Sequence, residues 1–219
     1  MAAGGSEGCR LDELERSFYS YFVSKKRDAL TATADRLFYE EGFAATGIDR
    51  VVEEAGVALG TLYRHFGGKA GLVVAVLDYR EAAFFARLEE FAAQTKEKDR
   101  VLSLFDGLLS WAEEKGGTDN GCLFLRAAAA HPDEPAIGAR VHKHKKDYLA
   151  LCRKRLREGG WDAAEARRLA PRVFLLLEGA VAACSLLGNR PAITQARDAA
   201  EDLLTESAAA AAATARRRG

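Results

Sequence analysis

Apolar residues recur at helical spacing along nearly the whole chain, and no stretch alternates as a half-buried strand would. Residues 11–22 place Leu11, Leu14, Phe18, Tyr21 and Phe22 on one face, which predicts a short amphipathic helix. Ser24 offers an N-cap for a second helix that runs to about Glu41, with Leu30, Ala34, Leu37 and Phe38 inward and Gly42 ending it. Two short helices follow, joined by a tight Ala55-Gly56-Val57 turn; their packing set is Phe43, Ile48, Val51, Val52, Ala55, Val57, Leu62 and Phe66. From Lys69 a long helix reaches about Thr95, with Leu77, Phe84, Phe85, Leu88 and Phe91 recurring on one side. Further helices fit Asp99–Lys115, Gly121–Ala130, Ala136–Glu158, Asp162–Leu187 and Ala192–Leu204. The breaks between them are Gly116-Gly117, His131–Pro135, Gly159-Gly160 and Gly188–Pro191. Pro171 is expected to kink or start its helix. After Ser207 an alanine run ends in Arg216–Arg218, a low-complexity tail expected to be a fraying helix or disordered rather than a functional basic arm. The fold class is all-α.

At 219 residues the chain can bury a real core as one domain or two. No apolar run reads as long enough to span a bilayer, and Met1–Gly5 lack the basic-then-apolar start of a secretory signal, so the expected compartment is the cytoplasm, away from any membrane. Cys9, Cys122, Cys152 and Cys184 are widely spaced and are read as reduced, mostly buried thiols. Net charge is zero, whereas nucleic-acid-binding domains are usually basic. Placement matters more than the sum. Lys25, Lys26 and Arg27 stand at the very start of the second helix, and Arg64, His65 and Lys69 flank the end of the fourth, while most acids fall before the turn.

The chemistry of the helix after that turn is distinctive. A helix that enters the DNA major groove needs small residues next to the bases and donors next to the phosphates. Gly60 permits close backbone approach, Thr61 can donate to a base or a phosphate, and Leu59 can make apolar base contact. Tyr63 and His65 can donate to phosphate oxygens, Arg64 adds charge, and Lys69 opens the next helix. Thr46 sits where the first motif helix begins; its hydroxyl would cap that helix or touch a phosphate.

Residues 56–72, Gly-Val-Ala-Leu-Gly-Thr-Leu-Tyr-Arg-His-Phe-Gly-Gly-Lys-Ala-Gly-Leu, resemble the signature of the TetR family of bacterial transcriptional regulators, as do Leu37-Phe38, Gly42-Phe43 and Thr46 before them. The match spans about residues 26–72. It departs from the family pattern at Gly47, where Ser or Thr is frequent, at Ala58, where Ser is frequent, and at Val52, where Ala is frequent. Gly47 is kept among the DNA-facing positions. The resemblance implies a homodimer on a palindromic double-stranded DNA operator, usually a repressor, released when a small-molecule effector enters the larger domain. It divides the chain into an N-terminal extension (1–23), a three-helix helix-turn-helix DNA-binding domain (24–72), an effector-binding and dimerisation domain (73–206) and a tail (207–219).

By the same resemblance the larger domain holds a cavity, with lining expected from Phe84, Phe85, Leu88, Phe105, Leu108, Trp111, Phe124, Phe174, Leu177 and Glu178. Many aromatics and few polar groups suit a lipophilic effector; the same stripes would also serve as plain core. Glu178, an acid among Phe174–Leu177 and Val181, needs a partner if buried. Val173–Leu187 is apolar nearly all round, with Gly179, Ala180, Ala182 and Ala183 permitting close approach of another helix. This places a dimer contact on the helices at about 162–187 and 192–204, the alternative being a buried monomer core. The basic runs Arg140–Lys146 and Arg153–Arg157 read as a solvated face beside a buried stripe of Val141, Tyr148, Leu149, Cys152 and Leu156. His142 and His144 diverge on a helix and make a poor metal pair, so no metal and no cofactor is expected. No nucleophile–base spacing or phosphate-cradling loop supports an enzyme. The alternative function is a helical small-molecule-binding protein that does not bind DNA.

Overall fold

The computed structural model describes residues 25–114 and 117–218. The expected helix at 11–22, Ser24 and Cys9 lie outside those residues. The described residues form nine α-helices and a single 3-10 turn, without a strand: α1 (25–40), α2 (Ile48–Glu54), α3 (Leu59–Phe66), α4 (Lys69–Gln94), the 3-10 turn Glu97–Asp99, α5 (Ser103–Glu113), α6 (Leu123–Ala130), α7 (Pro135–Glu158), α8 (Ala163–Leu187) and α9 (Pro191–Arg218). The chain divides into two compact units between Val76 and Leu77, within α4.

The N-terminal unit is a small apolar core with its charges outside. Leu30, Ala34, Leu37 and Phe38 of α1 meet Phe43, Val51 and Val52 of the next segment, Leu62 of α3 and Leu72, Val73 and Val76 of α4; all are buried. The Phe38 and Phe43 rings pack with centroids 4.9 Å apart. Gly56 makes the turn between α2 and α3 at φ 63°, a left-handed backbone that side chains resist. The turn closes with Val57 N–H donating to Val52 O at 2.9 Å. Gly71 is required for another reason. A Cβ there would lie 1.9 Å from the Phe66 carbonyl oxygen, so only glycine lets the first turn of α4 lie against the end of α3. Arg36 and Arg50 tie Glu40, Glu41 and Glu54 into exposed ion pairs across α1, α2 and the loop between them.

The C-terminal unit is larger and carries charge inside. Phe105, Leu104 and Leu108 of α5, Leu151, Cys152 and Leu156 of α7, Leu169, Val173 and Leu177 of α8 and Ile193 and Ala200 of α9 form one core. Here α8 packs against both α7 and α9, and α5 lies on α9. Asp162 caps α8 by accepting from the N–H groups of Ala164 and Glu165, both at 2.8 Å, and these bonds hold its carboxyl below the ordinary value. Pro171 lies inside α8, eight residues past its start, and so does not begin it.

Three expectations need correction. By length and composition α8 is apolar enough to cross a bilayer, contrary to the reading that no such run exists; its Leu169, Val173, Leu177, Ala180 and Cys184 are spent on the core instead. The last helix does not stop near Leu204 but continues through the alanine run to Arg218, because alanine is the strongest helix former. The basic runs of α7 are not a solvated face throughout: Arg140, His144 and Arg155 are buried. Arg140 bonds Asp78 and, through two nitrogens, Glu81. Arg155 pairs with Glu89 at 2.6 Å and Glu158 at 2.7 Å. These residues follow Ile137 at helical spacing, so geometry turns them inward whatever their charge.

Candidate nucleic-acid interface and ligand cavity

In the N-terminal unit the turn at Gly56 sets α3 on the surface with Leu62 as its anchor. Leu59, Gly60, Tyr63 and Arg64 are exposed, and Thr61 and His65 are half-buried. No acidic residue occurs in α3. Ala58 is its N-cap and supplies no side-chain bond, so the first N–H groups of the helix have no side-chain acceptor. Nothing of the chain lies within 4 Å of a Cβ built on Gly60, so this glycine answers no packing need of the folded chain. Gly47, exposed, is the N-cap of α2 and offers only backbone. Lys69 is half-buried, its ammonium donating to Phe43 O at 2.5 Å, and burial lowers its pKa. That bond fixes where its charge sits while leaving two N–H donors.

Thr46 is corrected. It is fully buried, and its hydroxyl donates to Gly42 O at 2.8 Å, with Leu37 O at 3.4 Å. It therefore donates back to a carbonyl of α1 and one of the turn after it, and neither caps α2 nor reaches outward.

The C-terminal unit holds a partly open cavity of about 50 Å³, room for several waters. Five of the ten expected lining residues border it: Phe84, Leu108, Trp111, Phe124 and Glu178. The other five do not. Leu88, Phe105 and Leu177 are core, and Phe85 and Phe174 pack half-buried against that core. Periodicity marks a buried face but cannot separate cavity wall from solid interior, since both are apolar.

The polar lining mixes residues read as a solvated face, His144 and Lys145, with residues read as buried, Cys122 and Tyr148. Arg80, Thr118, Cys122, His144, Lys145 and Tyr148 all border the cavity. Lys145 donates to both oxygens of Glu178 at 2.7 Å, which supplies the partner that this acid needed. His144 stacks on Phe124 with centroids 3.6 Å apart and its Nδ1 lies 3.0 Å from Glu81. Burial pulls its pKa down to about 4. Phe84 meets Trp111 and Tyr148 edge-on, each at 5.4 Å. The Trp111 indole donates to Gly117 O at 3.1 Å, and the Arg80 guanidinium lies over its ring. The helical spacing of His144 and Tyr148 was the signal available in the sequence. No cluster of His, Cys, Asp and Glu suited to a metal ion occurs among the described residues.

Residues 30–76 match the profile of bacterial regulatory proteins of the tetR family. The HTH-type transcriptional repressor NemR of Escherichia coli is 28% identical over 136 residues, 61% of this chain and 68% of that protein. The HTH-type transcriptional regulator LmrA of Bacillus subtilis is 25% identical over 160 residues, 71% of this chain and 84% of that one. Among solved structures, SCO4454, a TetR-family transcriptional regulator from Streptomyces coelicolor, superposes with a TM-score of 0.71 at 27% identity, covering 93% of this chain and 96% of that one. With a surface-mounted α3 behind a glycine turn, a matching N-terminal profile and a body of the same helical fold, this chain belongs to the TetR family of transcriptional regulators.

Proposed function

We propose that this regulator is a repressor that holds a palindromic DNA operator as a homodimer and releases it when a small lipophilic effector enters the cavity of its C-terminal unit. The carrying observation is the acid-free outer face of α3, with Leu59, Gly60, Tyr63 and Arg64 exposed above a buried Leu62. On this reading Leu59 and Thr61 contact bases, Gly60 lets the backbone close on them, and Tyr63, Arg64, His65 and Lys69 hold phosphates. Gly47 meets the backbone of DNA through its own backbone. Two copies of α3 reach successive major grooves about 34 Å apart. The regulator works where the chromosome is, in the cytoplasm.

The dimer is assigned to α8 and α9. Leu175, Leu186 and Leu187 of α8 are exposed, next to the small Gly179 and Ala182, an apolar surface that a second copy would cover. The repressor sign follows the name of NemR, a transcriptional repressor. The effector is assigned by the cavity's aromatic walls.

Selection from a random duplex pool with the full chain tests the reading. Enrichment of a symmetric motif, bound by two chains in sedimentation, is the expected result; a pool left unenriched refutes it in favour of a ligand-binding protein without DNA. On the selected site, His65→Ala weakens matched and mutated sequences alike, whereas Thr61→Ala changes base preference.

A further inference from the structure

Among the described cysteines, Cys122 is chemically distinct. Cys152 is fully buried, and burial pushes its thiol up to about 12. Cys184 is buried too, its sulfur 3.3 Å from the Thr118 hydroxyl. Cys122 is half-buried on the cavity wall and is the N-cap residue of α6, yet its sulfur makes no capping bond to that helix. The Lys145 ammonium lies 3.5 Å from the sulfur. Charge that develops on sulfur as its proton leaves is therefore met by an ammonium and by the positive end of α6. Glu178 shares that ammonium, accepting from it through both carboxylate oxygens.

A second, independent feature lines the same cavity. The Tyr148 hydroxyl is buried with no hydrogen-bond partner, in a residue only 3% exposed. Burial first, then Cys152, Glu178 and Cys122, hold this phenol well above its ordinary range. A buried donor without an acceptor costs about 1–3 kcal/mol, which an oxygen on a bound molecule would relieve.

We propose that Cys122 is a covalent capture site for small α,β-unsaturated carbonyl compounds, with the Lys145 ammonium next to the sulfur and Tyr148 donating to the carbonyl oxygen. The S–H bond breaks and an S–C bond forms at the β-carbon. The π pair of the C=C bond shifts to join the α-carbon and the carbonyl carbon, and the C=O π pair moves to the oxygen, giving an enolate that accepts the Tyr148 hydrogen bond. The proton that left sulfur ends on the α-carbon through solvent. The sum is addition of sulfur and hydrogen across the double bond, with no oxidant, reductant or leaving group. Phe84, Trp111, Phe124 and Val181 enclose the apolar remainder. That capture controls DNA rests on the effector reading above; capture itself is chemistry of the cavity.

The test treats the full chain with 2-cyclohexen-1-one and, separately, with iodoacetamide, which alkylates thiols without forming an enolate, and follows each cysteine by peptide mass mapping. Cys122 should gain the mass of the whole enone at least about tenfold faster than Cys152 or Cys184. Tyr148→Phe, which removes a hydroxyl with no partner to lose, should slow the enone about tenfold or more and leave the iodoacetamide rate unchanged. Lys145→Met should slow both reagents. Equal labelling of the three cysteines, or equal slowing of both reagents by Tyr148→Phe, overturns the proposal. An adduct at Cys122 that leaves binding to the selected duplex unchanged supports the capture site and refutes the effector reading. DNA release by a non-covalent ligand with no enone adduct does the reverse.

Discussion

The two units of this chain solve opposite problems with the same element. In the N-terminal unit the interior is apolar, the ion pairs of Arg36 and Arg50 lie outside, and the chemistry faces water on α3. In the C-terminal unit Arg140, His144, Lys145 and Glu178 turn inward, and the chemistry faces a cavity. Buried ionic groups stabilise little compared with apolar residues of the same size. Their presence in and around a cavity, and their absence beneath α3, distinguish an interior that holds its polar groups inside from a surface that presents them outward.

Four substitutions sharpen this contrast. The largest effect belongs to Gly71→Ala. Its Cβ collides with the Phe66 backbone oxygen, so either α3 or α4 must shift, at a cost of about 3 kcal/mol or more. Thermal melting should show loss of the N-terminal unit; an unchanged melt sinks the close-approach argument. Arg140→Met comes next. It leaves Glu81 without its strongest partner and loses the contact of the guanidinium with the Phe124 ring, worth about 3 kcal/mol in denaturant unfolding. A neutral result would mean that the pair has no role in stability.

The third is a pH effect. The folded chain holds the imidazole of His144 at about 4 against an ordinary 6.5, so the unfolded chain takes up its proton first as pH falls. This contribution is present above 6.5 and is lost as pH drops toward 4; between pH 7 and 5 it amounts to about 2 kcal/mol. His144→Phe should flatten the dependence by that amount in paired denaturant titrations, and parallel curves would contradict it. The smallest effect is the most telling. Gly60→Ala meets open space at an ordinary helical position and should raise stability by ~0.5–1 kcal/mol while weakening the selected duplex about tenfold. Unchanged DNA affinity would remove Gly60 from the interface.

Legibility in the sequence followed the same division. Leu30, Ala34, Leu37 and Phe38 of α1, and Val51, Val52 and Leu62 of the motif, are buried as their spacing requires, because a short apolar face leaves few alternatives. Thr46 was misread because a hydroxyl next to a helix start looks like a cap, whereas the Gly42 turn delivers it back to α1. In α7 the reading followed residue type over period: Arg140, His144 and Arg155 were assigned to solvent although they share a face with Ile137 and Tyr148. Charge predicts exposure only when no partner waits inside, and the partners Asp78, Glu81 and Glu89 come from α4, distant in sequence. For α9 the end near Leu204 followed the last large apolar residues, whereas alanine propensity carries the helix on through the low-complexity run.

The leucines that α8 leaves in contact with water also govern how the purified chain behaves on dilution. Leu186, at 82% exposed, and Leu187, at 76%, end the helix next to the Gly188 turn, where neighbouring side chains give little shelter. At nanomolar concentrations, where little else competes for surfaces, such a tip is expected to adhere to plastic and to interfaces. Assays run there would register surface loss as weakened affinity unless a carrier protein or a mild detergent coats the vessel.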